Sequence, residues 1–403
     1  MPEVFIIDSI RTPRGKGKTD GALHEVKPID LVRVLLDALR ERNNLDTTQI
    51  DDLILGCVTP VRDQGGNIAR AAILASRWSD ATPGMTINRL SASGLEAVHL
   101  AAARIRSGWE HLIVAGGVES MSRIPIGSDG GPLVYDPMIS SRARYIPRGI
   151  SADLLATLEG LNREMVDRYA SQSYQQAWDA RQNGWFDKSI VPIKDFNNLM
   201  ILDHDEYLQE PSDEETLASL PPVFEALGKE GFDAVALQKY PYIERLQHVH
   251  TAGNSSKIVD GSALLLLSSD SRLNMLKSPP RAKIVGCAVA ASDPTIMLMG
   301  PVFAAEKVLR LTGLEREDIA LWEVNESFAA EVLTFQRHFR LSGEQINVEG
   351  GAIAMGHPLG ASGAIIIGSL LDSLERRNLK RGLAAISAVA GMGVAVIIER
   401  IES

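Results

Sequence analysis

Apolar and polar positions along this chain change period repeatedly, and the order of the changes reads as a fold. Short apolar runs at 3–9 ("EVFIIDS"), 52–57, 85–88 and 112–116 ("LIVAG") have the length and composition of strands. Between them, apolar residues recur at helical spacing over 28–42 ("PIDLVRVLLDALRER"), 67–77 and 92–106. In the helix at 92–106, Leu95, Val98, Ala102 and Ile105 make one stripe. The same order returns later. A strand at 282–290 precedes a helix at 301–312, a strand at 319–323, a helix at 326–340, and strands at 382–388 and 393–399 ("GVAVIIE"). The second copy ends in two adjacent strands, which predicts a partner strand for the first copy at 262–269 ("SALLLLSS"). Strands alternating with amphipathic helices imply right-handed βαβ units and a largely parallel sheet.

The stretch from about 121 to 250 breaks this rhythm. It holds "GSDGGP", "SSRARYIPRG", the acid-rich "QEPSDEETLASLPP" and helix-like "NREMVDRYASQSYQQAWDARQNG". Long connections with their own helices are usually functional, so this segment is expected to form a lid or binding subdomain rather than a passive excursion. The chain reads as a duplicated α/β unit with a large insertion in its first copy. The halves are expected at 1–120 plus 251–275 and at 276–403.

Composition narrows the function classes. The 403 residues are 45% hydrophobic and 23% charged, ordinary for a globular protein. A net charge of -10 argues against a nucleic-acid surface, so phosphate-bearing ligands need local basic patches. No apolar run reaches the ~20 residues of a membrane span, and "MPEVFIIDSIRTP" does not read as a signal peptide. A cytoplasmic protein is expected. The two cysteines, Cys57 and Cys287, lie in strand-like runs and read as buried, inert thiols, with no metal-ligand spacing around them. "RGKGKTDG" lacks the spacing of a phosphate-binding loop.

Candidate chemistry gathers where strands enter helices. "NRLSASGLEAV" and "GGAIAMGHPLGASGAI" occupy equivalent places in the two copies, and small residues there permit close helix packing or close approach of a ligand. Ser91 and Ser93 lie at the start of the first helix, where spacing alone favours a helix cap over a nucleophile. His357, between Gly356 and Pro358, is a good acid–base or oxyanion candidate. In "WEVNESFAA", Asn325 suits a cap or a water-holding role and Glu326 suits the helix dipole. "AISAVAGMGVAV" turns the last two strands at Gly391 and Gly393.

Taken together, "NRLSASGLEAV", "HTAGNSSKIVDGSA", "EVNESFAAE", "NVEGGAIAMGHPLGASGA" and "GMGVAVIIER" resemble the thiolase family, in order and across nearly the whole chain. "VRDQGGNIAR", "GGVESMSRIPIGSDGG", "GISADLLATLEG" and "HVHTAGNSS" resemble most the bacterial β-subunit-type thiolases of trifunctional β-oxidation enzymes. This resemblance implies a five-layered αβαβα fold, dimerisation through the first half, and a loop domain at 121–250 over a coenzyme A pocket. It implies acyl-CoA and CoA as ligands, CoA as co-substrate and no tightly bound cofactor. A homodimer or dimer of dimers follows from it, as does a hydratase/dehydrogenase α-type partner. The activity it implies is cleavage of a 3-ketoacyl-CoA by CoA, or the reverse condensation, with one cysteine as nucleophile, a second moving protons, and two oxyanion holes. His357 matches the histidine of the first hole and Asn325 the asparagine holding its water. Ser256 matches a serine that contacts the pantetheine arm, and the basic run with Arg142, Arg144 and Arg148 suits the phosphates of CoA.

The departures fall on the chemistry. Ser91 stands at the position of the nucleophilic cysteine and Ser387 at that of the second, so both thiols of the family pattern are absent. Val389 and Ala390 stand where the family has glycines of the second oxyanion hole, and a positive φ at Val389 would conflict with its side chain. A Cys-to-Ser exchange made to trap substrate would account for Ser91 alone. Val389 and Ala390 point instead to divergence around Ser387. Thiolysis is therefore expected to be impaired, with a silent acyl-CoA-binding subunit or a serine-dependent acyl-CoA hydrolase or condensing protein as the alternatives.

Overall fold

The computed structural model describes residues 1–211 and 214–402; two residues of the acid-rich run fall outside it. The first copy contributes strands β1 (Val4–Arg11), β2 (Asp52–Gly56), β3 (Gly84–Ile87), β4 (Leu112–Ser120) and β5 (Val259–Ser269), in the order β3-β2-β4-β5-β1. The second contributes β6 (Ala282–Ala291), β7 (Leu321–Val324), β8 (Arg381–Ala388) and β9 (Met392–Arg400), in the order β7-β8-β9-β6.

The two orders superimpose element by element. β2 runs parallel to β4 as β7 does to β8, and β5 and β9 return antiparallel in both. The strand expected at 262–269 is therefore present as β5. In the second copy the place of β3 is taken by a single parallel bridge, Trp322 to Ile346. The halves meet where β1 pairs antiparallel with β6 through Phe5–Lys283 and Ile6–Ala282.

Alternation sends one face of each half-sheet inward and the other outward, so three apolar layers form. Helices α1 (Pro28–Asn43) and α2 (Ile68–Ala75) cover the outer face of the first half-sheet. The outer face of the second is covered by α6 (Gly300–Thr312) and α7 (Ala329–Phe339). Between the half-sheets lie α3 (Ser93–Arg106) and α8 (Leu359–Arg376), whose apolar stripes share one core with both inner faces. This is the expected αβαβα stack.

The two central helices touch along small residues. A methyl group on Gly94 would stand 2.6 Å from the Gly360 carbonyl oxygen, and one on Gly363 would stand 2.0 Å from the Leu95 nitrogen. Close approach of these helix starts is what brings the first turns of the two copies together.

In the inserted segment, α4 (Arg148–Leu158) and α5 (Arg163–Gln182) are the longest helices. α5 packs Val166, Tyr169 and Ala170 into the core of α7, which fixes the insertion to the second half. Among the described residues, no helix is long and apolar enough to cross a membrane.

Candidate active site

Three turns and the first residue of α4 converge on one cavity of about 590 Å³, a size typical of small-molecule sites. Ser91, Ser256, Ser327, His357, Arg148 and Val389 all line it.

The first turn joins β3 to α3. Asn88 Oδ1 accepts from the Leu90 amide at 2.7 Å, and Ser93 Oγ accepts from the Arg89 amide at 2.9 Å while donating to the Leu90 carbonyl at 2.5 Å. Leu90 sits at φ 51°, a left-handed conformation costing a residue unbranched at Cβ about 1 kcal/mol. The helix begins at Ser93, after an Ala92 that makes no side-chain cap. The capping role that spacing favours for Ser91 or Ser93 is therefore not the one observed. Ser93 braces the turn, and Ser91 points into the cavity.

The second turn precedes α8. Gly356 takes φ 99°, and a methyl group there would stand 2.2 Å from the Val259 side chain. Its carbonyl accepts from Arg14 Nη1 at 3.2 Å, and the His357 amide donates to the Lys257 carbonyl at 2.9 Å. The Gly360 amide donates to Glu119 Oε2 at 3.0 Å, and Glu119 also accepts from the amides of Val58 and Thr59 and from Gln64. This buried carboxylate ties the end of β4 to the start of α8, and so one copy to the other. Burial raises its pKa, and the four donors hold it down.

The His357 ring is thereby fixed. Its Nδ1 lies 2.5 Å from Ser362 Oγ, while its Nε2 is buried without a hydrogen bond. Burial, then the cations Arg148 and Arg14, push its pKa down to about 3, so the ring is neutral at pH 7. With Ser362 donating to Nδ1, Nε2–H is a donor facing the cavity. With the hydroxyl turned the other way, Nε2 is a base.

The third turn joins β8 to β9. Ser387 is fully buried near the end of β8. The left-handed conformation falls on Ala390, at φ 61°, and on Gly391, at φ 83°. The conflict foreseen at Val389 does not arise, because the positive φ lies one residue further on.

Arg148 links the first and third turns to the segment that leads into α7. Its Nη1 donates to Ser91 Oγ at 3.1 Å; its Nη2 donates to Ser327 Oγ at 2.8 Å and, in a closer contact, to Ser387 Oγ. Asn325 is buried behind this group and donates from Nδ2 to Ser327 Oγ at 3.0 Å. Glu331 of α7 lies 3.8 Å from Arg148, with the Ser387 and Ser327 hydroxyls beside it. Burial raises the Glu331 pKa, and Arg148 opposes that.

The structure thus brings Ser91 and His357, one from each copy, to the wall of one cavity, with Ser387 and Asn325 buried behind it and joined to it through Arg148 and Ser327. Ser256 joins them, its amide bonded to the Ser327 carbonyl at 3.0 Å. Arg142 and Arg144 are exposed, on and just after a short helix at Pro137–Ala143, and do not line the cavity. Glu326 precedes α7 rather than opening it. It accepts from Tyr169, Ser173 and the Ile353 amide, and so clamps α5 to the turn before His357 instead of serving a helix dipole.

Sequence reasoning placed Arg148 only in a basic run and passed over Ser327 and Glu331. A glutamate inside the apolar "SFAAEVL" was the available signal. Neither cysteine lines the cavity. Cys57 is buried and its pKa pushed up, and Cys287 is half-buried and pushed up to about 12, burial being the main cause for both.

Comparison with known proteins agrees with this architecture. Residues 4–271 match the family model for the N-terminal domain of thiolase, and residues 278–400 match that for its C-terminal domain. The chain is 37% identical over 410 residues to the 3-ketoacyl-CoA thiolase of Cronobacter sakazakii, covering 100% of both chains. It is 36% identical over 416 residues to the 3-ketoacyl-CoA thiolase FadA of Escherichia coli K12, again over 100% of both. Among solved structures, the Bacillus anthracis acetyl-CoA acetyltransferase superimposes with a TM-score of 0.87 at 34% identity, over 100% of this chain and 99% of that one. Human mitochondrial 3-ketoacyl-CoA thiolase in complex with CoA gives 0.86 at 30% identity, over 100% of this chain and 98% of the other. Two family models spanning the chain, full-length relatives above 30% identity and a shared fold lead to one conclusion: this chain belongs to the thiolase family.

Proposed function

We propose that this protein is a thiolase-type acyl-CoA acyltransferase of fatty-acid degradation that binds acyl-CoA in the cavity but turns over 3-ketoacyl-CoA far more slowly than a cysteine-bearing thiolase. The observation that carries the reading is the Arg148 guanidinium, which donates to the hydroxyls of both Ser91 and Ser387. A thiolate is a strong nucleophile near neutral pH, whereas a hydroxyl needs a base at the moment of attack. A hydroxyl oxygen already accepting from a cation is a poorer nucleophile still.

The chemistry that remains is specific. For Ser91 Oγ to attack the keto carbon, its proton has to pass to His357 Nε2, the one unbonded ring nitrogen at the cavity. Cleavage of the C2–C3 bond then leaves an oxygen ester on Ser91 and requires a proton for the departing acetyl-CoA enolate. Ser387, whose hydroxyl does not ionise near pH 7, supplies that proton poorly. Once Nε2 carries that proton, its N–H is the donor the ring offers to the C3 oxyanion. Asn325 braces Ser327 and so acts by positioning.

The reading extends, on resemblance, to pantetheine contact at Ser256, phosphate contact at Arg142 and Arg144, and a division into halves at 1–120 plus 251–275 and 276–403 around a CoA-covering segment at 121–250. It also takes in a cytoplasmic homodimer or dimer of dimers with a hydratase/dehydrogenase α-type partner. Intact-protein mass spectrometry after incubation with a 3-ketoacyl-CoA tests the core of it. Little or no acyl adduct is expected on the native chain, with calorimetric binding retained. Rapid stoichiometric acylation of Ser91 would overturn it.

A further inference from the structure

Arg148 is a cation at the floor of an otherwise largely apolar cavity, and transfer of a neutral acyl group gives it nothing to bind. Its N–H groups are spent on three neutral hydroxyls, and its buried Nε makes no hydrogen bond. The facing carboxylate of Glu331 balances the charge as an ion pair at 3.8 Å, with the Ser387 and Ser327 hydroxyls beside it, but accepts no direct hydrogen bond from the guanidinium.

A guanidinium presents a planar fork that matches a carboxylate through two parallel hydrogen bonds. The hydroxyls of Ser91, Ser327 and Ser387 rotate freely between accepting and donating. When the fork engages an anion, each of the three is released to donate to it. One cation and three turnable hydroxyls around a point make a receptor for an acceptor-rich, anionic group. Leu90, Met121, Phe328 and Val389 give much of the apolar wall, and Lys257, Asp129, Tyr145 and His357 are the other ionisable groups that line the cavity.

We propose that Arg148, with the hydroxyls of Ser91, Ser327 and Ser387, holds a free carboxylate on the acyl group, so that the ligands are CoA thioesters of short dicarboxylic acids. The inference rests on the acyl-CoA reading of the cavity. Burial already raises the pKa of the Glu331 carboxyl, and a second carboxylate near Arg148 would raise it further.

Calorimetry on the full chain with malonyl-CoA, succinyl-CoA, acetyl-CoA and butyryl-CoA tests this. The two carboxylated thioesters are expected to bind at least about tenfold tighter than the neutral ones, the lower end of what hydrogen bonds to charged groups contribute. Arg148→Met should bring all four within about threefold of one another, and Arg148→Lys should keep part of the preference as a point charge does. Equal binding of the four by the native chain overturns the inference and leaves acyl-CoA binding standing, whatever the folding of the variants. A preference that survives in a folded Arg148→Met removes Arg148 as its cause. Failure of all four to bind fails the acyl-CoA reading itself.

Discussion

Placing a thiol at residue 91 asks whether the guanidinium lies where the structure puts it. Ser91 Oγ is 3.1 Å from Arg148 Nη1. A thiolate there would sit roughly 4 Å from the centre of the cation, an attraction of about 4 kcal/mol at an effective dielectric of 20. Glu331, on the other side of Arg148, cancels part of the field. Halving the attraction leaves about 2 kcal/mol, or ~1.5 pKa units. The Ser91→Cys thiol is therefore expected to titrate near pH 7 rather than near the ~8.5 of a free cysteine. The assay is the pH dependence of iodoacetamide alkylation, followed by intact mass. The background is low, because Cys57 and Cys287 both have raised pKa values. Alkylation should reach half its plateau near pH 7 and level off above about pH 8, and Arg148→Met in the same background should shift the profile upward by roughly two to three units, the full attraction being lost. A thiol titrating at or above 8.5, or one indifferent to Arg148, would refute the placement of the guanidinium.

Other outcomes follow from the same geometry. Ser91→Cys is expected to form an acyl-enzyme with 3-ketoacyl-CoA, and adding Ser387→Cys to raise thiolysis further, measured by steady-state kinetics; no acylation by the single variant contradicts the retained hole at His357. Affinity for a neutral acyl-CoA such as acetyl-CoA should fall with added salt, and Arg142→Ala with Arg144→Ala should weaken it while Ser91→Ala barely changes it, read by calorimetry. His248 bridges Asp153 at 2.8 Å and Asp233 at 3.0 Å, and hydrogen bonding to Asp153 first, then Asp233, lifts its pKa to about 9. A raised histidine stabilises the fold fully below pH 6.5 and loses that contribution as pH rises through 9, so denaturant titrations should show a loss of ~1–2 kcal/mol after screening, absent in His248→Gln. Gly94→Ala, forcing apart α3 and α8, should cost about 1–3 kcal/mol in the same assay.

Periodicity made the architecture legible because burial sets both patterns. β5 and β9 alternate around shared cores, and the repeat of one copy in the other located β5. Strand direction was not legible, because the sheet expected to be largely parallel is mixed, with β1, β5, β6 and β9 pairing antiparallel. Helix ends were less readable. The helix expected from 326 begins at Ala329, since Glu326 and Ser327 are held by side-chain partners from distant segments. Ser91, His357, Asn325 and Ser387 were visible as motif residues at strand and turn ends. What no local pattern encodes is the side chain that joins them. Arg148 opens an inserted helix 57 residues beyond Ser91, and its partners come from three segments brought together only by folding. Which residue of the turn between β8 and β9 takes the left-handed conformation was not legible either: it falls on Ala390 and Gly391, set by the closing of the turn, and spares Val389.

Steady-state thiolysis of a 3-ketoacyl-CoA by CoA, with the native chain and Ser91→Cys/Ser387→Cys measured side by side, tests the central claim most directly. The native chain is expected to be at least about a hundredfold slower, the lower range of what acid–base and nucleophilic groups contribute to rate. A native rate equal to or above that of the double variant would contradict it.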